Sequence, residues 1–330
     1  MIFGGKSSEF YVSLKTAETM LSALDREKYE ITLIGITREG SWHLVKDLYG
    51  RLTEQVISEG EAVFADLGKG CFLIGKEAYK PERVLIAMHG EYGEDGRVQG
   101  LLDIMGLRYA GADSFSSSLC MDKHLAKLVA ISVGVRVAEY FVVHKSDFDM
   151  ELCLKEGERI GYPLFVKPAR CGSSVGVRRV TRPCRLEEAI KNSLLYSDKV
   201  LIEKEITGTE TEAGVIIKNG KILNYSVGQL SCGGEFYDYF EKYENKRTEY
   251  RIPAKISEKT EKELGECLKK LVTALEIKGY ARLDFFVTEK EEIVFNEVNT
   301  LPGFTEFSML PMLFKHRGIE KGQLLDILLF

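Results

Sequence analysis

An α/β architecture is what this sequence predicts, and three observations predict it. Short apolar runs at 31–36, 84–88, 164–167 and 200–203 have the length and composition of buried strands. Segments with helical spacing, 13–25 and 186–195, precede two of these runs, so strand–helix–strand units recur along the chain. Glycine-rich stretches follow the first strand and the 84–88 strand, the place where open α/β sheets hold ligands.

Taken in order, the opening reads strand, helix, strand, and a second such unit flanks a glycine–serine stretch near 172–176. A third section carries alternating segments at 212–217, 222–227, 281–287 and 292–298, with a helix over 257–275. There is no internal repeat and no low-complexity linker. A length of 330 residues implies two domains at about 150 residues each, and three lobes also fit. With 45% hydrophobic residues the chain can bury a substantial core, and 45 Lys+Arg against 50 Asp+Glu leave a net charge of −5. That mild acidity argues against a nucleic-acid partner, which would ask for a concentrated positive face. No apolar run approaches the ~18 to 20 residues of a membrane span, and no secretory leader follows Met1, so a small-molecule enzyme with no membrane address is expected. The seven cysteines (Cys71, Cys120, Cys153, Cys171, Cys184, Cys232, Cys267) form no CxxC pair and suggest neither disulfides nor zinc. They are expected to act as small buried apolar residues in a reducing, cytoplasmic setting.

Chemistry is concentrated in a few places. Segments 281–287 and 292–298 flank the charged turn Thr288-Glu289-Lys290-Glu291 and read as a hairpin. Paired about its centre, it sets Arg282 opposite Asn299 and Asp284 opposite Glu297, all on one face because strand side chains alternate. Two carboxylates and an amide oxygen suit Mg²⁺ when phosphates complete its shell, with the arginine meeting phosphate or an oxyanion. A solvated, charge-paired face is the other reading, and the apolar residues opposite do not decide between them. Lys167 ends a strand and leads into Pro168-Ala169-Arg170-Cys171-Gly172-Ser173-Ser174-Val175-Gly176, a small-residue loop suited to phosphate oxygens. The Walker pattern GxxxxGK[ST] is absent, which excludes a P-loop NTPase. His89 opens a glycine- and acid-rich stretch before a helix, and Glu9 ends the corresponding stretch after the first strand. Glu9 could cap the following helix or hold a substrate ammonium group.

Together these blocks resemble the D-alanine:D-alanine ligases of the ATP-grasp superfamily over nearly the whole chain. The matching segments are GGKSSEFYVSL, HGEYGEDGRVQG, MDK, VKPARCGSSVGV, LIEKEITGTE, EFYDYFEKY, ARLDFF and FNEVNTLPGFTEFSMLP, in family order. The resemblance implies a three-lobed ATP-grasp fold: an N-terminal open, Rossmann-like α/β substrate-binding domain over 1–111, a central lobe over 112–202 and a C-terminal lobe over 203–330. It implies ATP and two Mg²⁺ ions, with Mn²⁺ able to substitute, and D-alanine as the amino-acid substrate. It also implies a cytoplasmic homodimer serving peptidoglycan precursor synthesis. By the same resemblance Lys123, Lys167 and Lys242 meet ATP phosphates; Glu203, Lys204 and Ile206 meet adenine, and Glu210 the ribose. Asp284, Glu297 and Asn299 align with the metal ligands, and Arg282 with the arginine on the reacting phosphate and oxyanion. Glu9 and His89 align with the first D-alanine subsite, Ser173 and Tyr243 with the groups linking across to Glu9, Gly303 with the oxyanion region, and Ser308 with the second substrate's carboxylate. Segment 236–250 resembles a lid that keeps water from an acylphosphate; a plain surface loop is the alternative.

Related resistance ligases use D-lactate or D-serine as acceptor. The lid sequence Glu241-Lys242-Tyr243 and Met309 after Ser308 resemble the D-alanine-selective members, with a D-serine ligase and a catalytically silent nucleotide-binding homologue as alternatives. Tyr11, Glu306 and Phe307 depart from the family pattern near the acceptor side. The chain also begins several residues short of the usual first strand, so either a weak sheet edge there or a truncated start is expected.

Overall fold

The computed structural model describes residues 1–46, 50–231 and 249–330. Three sheets organise it, one for each stretch of strand-forming sequence.

The first has seven strands in the order β6-β5-β4-β3-β2-β1-β7. Its parallel centre is β2 (Leu33–Ile36), β1 (Ile2–Gly4) and β7 (Ile86–Ala87), connected by α1 (Phe10–Ala23) and, beyond β7, followed by α3 (Arg97–Ile104). The weak edge expected at the N-terminus is corrected here. β1 is an interior strand, with Ile2 and Phe3 buried and ladders on both sides, because two apolar neighbours in succession are enough to fill one inner-strand layer. The sequence reading also left unassigned an antiparallel extension: β3 (Trp42–Val45), β4 (Glu61–Asp66), β5 (Cys71–Ile74) and β6 (Glu77–Tyr79), with the short α2 (Glu54–Ser58) between β3 and β4. Two of these strands are joined by the tight turn Gly75-Lys76. The expected 84–88 strand forms ladder pairs only at Ile86 and Ala87, while Val84 bridges Tyr109.

The second sheet has the order β10-β9-β11-β8, from β8 (Tyr140–His144), β9 (Leu164–Pro168), β10 (Arg178–Val180) and β11 (Lys199–Lys204). Helices α6 (Met150–Ile160) and α7 (Leu186–Ser193) close its apolar face around Val166, Ile190, Val200 and Ile202. The third sheet, β14-β13-β12-β15-β16, comprises β12 (Thr209–Lys218), β13 (Lys221–Ser231), β14 (Glu249–Arg251), β15 (Gly279–Val287) and β16 (Ile293–Asn299). Helix α8 (Glu258–Ala274) starts where Ser257 accepts a hydrogen bond from the Thr260 N–H, and buries Leu264, Leu268 and Leu271 against this sheet.

Two long-range packings tie the sheets together. Helices α4 (Ser114–Met121) and α5 (Lys123–Ser132) share a core with the third sheet through Cys120, Ala126 and Ala130. The last helices, α9 (Met309–His316) and α10 (Lys321–Leu329), send Leu310, Phe314, Leu324, Leu325 and Leu328 into the core of the first sheet. Of the described cysteines, Cys71, Cys120 and Cys153 are buried, but Cys171 and Cys267 are only partly covered and Cys184 is exposed. The uniform burial expected of them therefore fails at three positions, each in a segment that meets solvent or a cleft.

Candidate active site

The hairpin β15–β16 pairs as the sequence requires: Arg282 lies opposite Asn299, and Asp284 opposite Glu297. Alternation sends Ala281, Leu283 and Phe285 into the core behind, so the polar set is turned toward the cleft. The register then shifts between Asp284 and Phe285, leaving Asn296 as the extra residue of a β-bulge. The bulge has a use: the Asn296 side-chain oxygen accepts a hydrogen bond from Lys167 at 3.1 Å.

The cleft face is a charge-paired network rather than an open one. Arg282 donates to both oxygens of Asp284, at 2.8 Å each, and sits 3.2 Å from Glu212 on the neighbouring β12, where Glu212 pairs with Asp284 in register. Burial alone would lower the Arg282 pKa, but Asp284 and Glu212 outweigh it and drive it well above its ordinary value. Glu297 meets Lys123 at 3.3 Å; burial pulls that ammonium's pKa down, and Glu297 together with Cys171 and Glu203 raises it above its ordinary value. Asp284 is 2% exposed, covered by the guanidinium.

Lys123 is fixed from behind. Its own N–H donates to Ala169 O at 3.0 Å, and its ammonium to Cys171 O at 2.8 Å. The preceding Asp122 caps α5 through the Leu125 N–H and holds Lys199 at 2.6 Å and Arg170 at 2.8 Å. Burial would raise the Asp122 pKa, yet these partners hold it below its ordinary value. In the loop that follows, Ser173 and Ser174 adopt φ of 50° and 55°, a left-handed conformation rarely taken by residues other than glycine and a form of strain found at ligand loops.

Glu9 is at the N-cap of α1 but its side chain makes no capping bond. Its carboxylate instead accepts from the Ser173 hydroxyl, across from the central lobe. Of the two roles open to Glu9, the capping one is thus excluded. Behind it His89, 4% exposed, contacts Thr16 Oγ1 at 2.8 Å, Leu301 O at 3.1 Å and Glu94 at 3.3 Å. Burial pulls the His89 pKa down, but Glu94, Glu9 and the Leu301 carbonyl together raise it above 6.5.

Two cavities meet here. One, of about 810 Å³, is lined by Glu9, His89, Arg282, Asn299, Gly303 and Ser308; the other, of about 520 Å³, by Lys167, Glu203, Lys204, Ile206 and Glu210. They share Lys123, Cys171, Gly172, Ser173 and Glu297 as a common wall. In the second, Lys167 meets Glu203 at 2.8 Å, and Lys204 donates to Gly161 O at 2.8 Å. In the first, Ser308 Oγ accepts from the Thr305 N–H at 2.9 Å and lies where a side chain on Gly303 would fall, 2.7 Å from a Cβ there. Met309 lines this cavity while packed with Leu230 and Leu313. Tyr11, Glu306 and Phe307 stand on its exposed side, Phe307 being 71% exposed.

Of the residues singled out from sequence, the structure assembles all but three at these two cavities. Asp284 is near but covered, and Lys242 and Tyr243 lie outside the described residues, as do 236–248 of the expected lid. Its last residues, Glu249 and Tyr250, are strand rather than loop, paired in β14 with Ser231 and Leu230. Sequence reasoning missed Glu212, Asn296, Glu94 and Lys127. Glu212 shares a strand face with Glu210 and was visible as such, but its value depends on β15 being the neighbour of β12. Asn296 depends on the bulge.

Metal chemistry fits the donor set in one particular way. Among the described residues no group of three or more His, Cys, Asp or Glu is placed to hold an ion. Asp284, Glu297 and Asn299 provide hard oxygens on one face, enough for Mg²⁺ only when phosphate oxygens complete the shell.

Comparison with known proteins agrees with this construction. Residues 1–112 match the family described as D-ala D-ala ligase N-terminus, and residues 129–330 that described as D-ala D-ala ligase C-terminus. The D-alanine–D-alanine ligase of Chlorobium limicola is 37% identical, covering 100% of this chain and 95% of its own length. That of Thermoanaerobacter sp. (strain X514) is 36% identical, covering 100% and 94%. Among solved structures, VanG D-Ala:D-Ser ligase from Enterococcus faecalis superposes with a TM-score of 0.88 at 34% identity, over 99% of this chain and 96% of that one. The D-alanine-D-alanine ligase from Coxiella burnetii gives 0.86 at 28% identity, over 99% and 91%. Matches to both halves of the family, and relatives above 30% identity along the whole length, show that this chain belongs to the D-alanine–D-alanine ligases.

Proposed function

We propose that the chain uses ATP to join two D-alanine molecules into D-alanyl-D-alanine for peptidoglycan precursors, through a D-alanyl phosphate. The observation that carries this reading is the shared wall of the two cavities: a triphosphate entering past Glu203 and Lys167 reaches Lys123 and Ser173, where the amino-acid cavity begins.

In this reading Glu9 holds the first D-alanine's ammonium and His89 lines its subsite. Glu203, Lys204 and Ile206 take adenine, Glu210 the ribose, and Lys123, Lys167 and Lys242 the phosphates. The D-alanine carboxylate attacks the γ-phosphorus, and the bond to the ADP oxygen breaks. Arg282 spreads the charge that builds on the transferring group. The free amine of the second D-alanine, its carboxylate held at Ser308, then attacks the acyl carbon. Arg282 and the Gly303 N–H stabilise the tetrahedral oxyanion until phosphate leaves. No side chain becomes covalently attached, so the protein's part is positioning, electrostatics and exclusion of water. Asp284, Glu297 and Asn299 would hold two Mg²⁺ ions, or Mn²⁺ in their place, supplying charge neutralisation to the phosphates. The proposal extends to Tyr243 linking with Ser173 and Glu9 across the site, to lobes divided at 1–111, 112–202 and 203–330, and to a cytoplasmic homodimer without nucleic-acid or membrane partners. No helix among the described residues is long and apolar enough to cross a membrane.

Purified protein given ATP, Mg²⁺ and D-alanine is expected to release phosphate and dipeptide in equal amounts; phosphate release no higher than background rejects the reading. A D-serine acceptor is a second reading, supported by the likeness to a D-Ala:D-Ser ligase and by Tyr11, Glu306 and Phe307 at the acceptor side. Competition between D-alanine and D-serine, read from product mass, decides it, and D-alanine is expected to dominate.

A further inference from the structure

Lys127 lies on α5 one helical turn beyond Lys123 and is 1% exposed. Its ammonium is 3.2 Å from Glu203 Oε1, while Lys167 is 2.8 Å from Glu203 Oε2. One carboxylate therefore faces two ammonium groups at the floor of the 520 Å³ cavity, which all three residues line. The two lysines are not equivalent. The Lys167 side chain is 14% exposed and hydrogen-bonded to Asn296, so it is the one a ligand can reach. Lys127 is sealed, and its Nζ and Glu203 Oε1, both buried, face each other as an ion pair with no aligned hydrogen bond.

This arrangement sets up an exchange of charge. Any phosphate that recruits Lys167 competes with Glu203 for the same ammonium. A carboxylate as enclosed as Glu203 cannot lose its only counter-ion without a large penalty. With Lys127 in place it does not have to. Burial would raise the Glu203 pKa, and Lys127, then Lys167, hold it below its ordinary value instead. Burial, with the neighbouring Lys167 charge, pulls the Lys127 pKa down, and Glu203 opposes that fall.

We propose that Lys127 is the standing counter-cation of Glu203, a positioning residue that keeps this carboxylate in place while Lys167 turns to the nucleotide phosphates. The proposal rests on the second cavity being the ATP site, as argued above. It assigns Lys127 no contact with the reacting atoms.

The test uses the full chain, with ADP binding by calorimetry and steady-state kinetics on ATP and D-alanine. In Lys127→Met the ADP dissociation constant and the KM for ATP are expected to rise about tenfold or more, as for loss of one partner of a buried pair. The KM for D-alanine is expected to stay within about twofold, a split that general loss of structure would not give. In a Glu203→Gln background, where no carboxylate needs a counter-ion, adding Lys127→Met is expected to change ADP affinity by less than about twofold. Unchanged ADP binding in the single variant overturns the proposal, and so does a further tenfold loss in the Glu203→Gln background. Should Lys127→Met fail to fold, Lys127→Gln takes its place, alone and in the Glu203→Gln background, with the same outcomes expected and excluded. If the unaltered chain binds ADP but releases no phosphate with D-alanine, the ligase reading fails and the role of Lys127 is still read from binding; a chain that binds no ADP overturns both.

Discussion

In Arg282 the proposed chemistry and the stability of the fold meet in one side chain. It is the counter-ion of Asp284 and Glu212 as well as the group proposed above to meet the transferring phosphate. Arg282→Met is expected to lower turnover by roughly 10²-fold or more, read by phosphate release. It is also expected to lower stability by about 3 kcal/mol, read by urea unfolding, because two buried carboxylates lose their partner. Unchanged stability would show that water already reaches them. Gly90 supports Glu9 by having no side chain: its φ is 67°, and a Cβ there would stand 2.5 Å from both Glu9 Oε2 and Ser7 Oγ. Gly90→Ala is therefore expected to raise the KM for D-alanine several-fold while leaving that for ATP nearly unchanged; an equal rise in both would refute the placement. His89 adds a pH dependence. Its folded pKa is raised above the ordinary 6.5, so its contribution to stability is complete below 6.5 and disappears as pH rises through the folded value. Unfolding free energies measured upward from about pH 6 are expected to fall in the unaltered chain and to flatten there in His89→Gln. A slope that survives the substitution assigns it to another group.

At the scale of elements, what could be read from sequence followed from period and turn chemistry. The hairpin of β15 and β16 was legible because a charged turn fixes its centre, and with it the facing of Arg282 on Asn299 and Asp284 on Glu297. The bulge at Asn296 was not legible: no glycine marks it, and it exists because the strands beyond Asp284 settle one residue out of that register to pair Phe285 with Phe295. The extension from β3 to β6 was missed for a related reason. In β4 and β6 most residues are exposed, so these strands are written in charged and small residues rather than in an apolar run, and β3 and β5 are only four residues long. Glu9 was ambiguous because its sequence position suits both a cap and a ligand, and what removes the cap is its bond with the Ser173 hydroxyl, 164 residues away in sequence. Helix α8 was the easy case, with Ser257 ahead of a regular apolar stripe. Ser257→Ala is expected to destabilise the protein by about 1 kcal/mol through loss of the bond to the Thr260 N–H. A Tm equal to that of the unaltered chain would mean that water replaces the cap.

The whole molecule is closed by its own C-terminal segment, a feature invisible to local patterns because partners lie some 300 positions apart. Helix α10 lies along α1, with Leu324, Leu325 and Leu328 buried in the first sheet's core. Around this apolar seam, Asp326 holds Lys28 at 2.7 Å and accepts from the Tyr29 hydroxyl at 2.5 Å, while Arg83 Nε donates to Leu329 O at 2.9 Å. The exposed Lys28 pair adds little; the leucines matter more. Each buried leucine contributes about 2 kcal/mol, so three approach the 5–15 kcal/mol by which a domain is ordinarily stable. Helix α1 also carries Thr16, which contacts His89, and follows Glu9 at its N-cap, so the seam holds the helix that leads to the 810 Å³ cavity. Removing residues 320–330 is therefore expected to abolish cooperative unfolding of the first sheet's core and, with it, D-alanine-dependent phosphate release. Circular dichroism melting with dye binding to exposed apolar surface reads the first, and a phosphate assay the second. A shortened chain that still melts in one sharp transition near the original Tm would show that the first sheet's core is complete without α10.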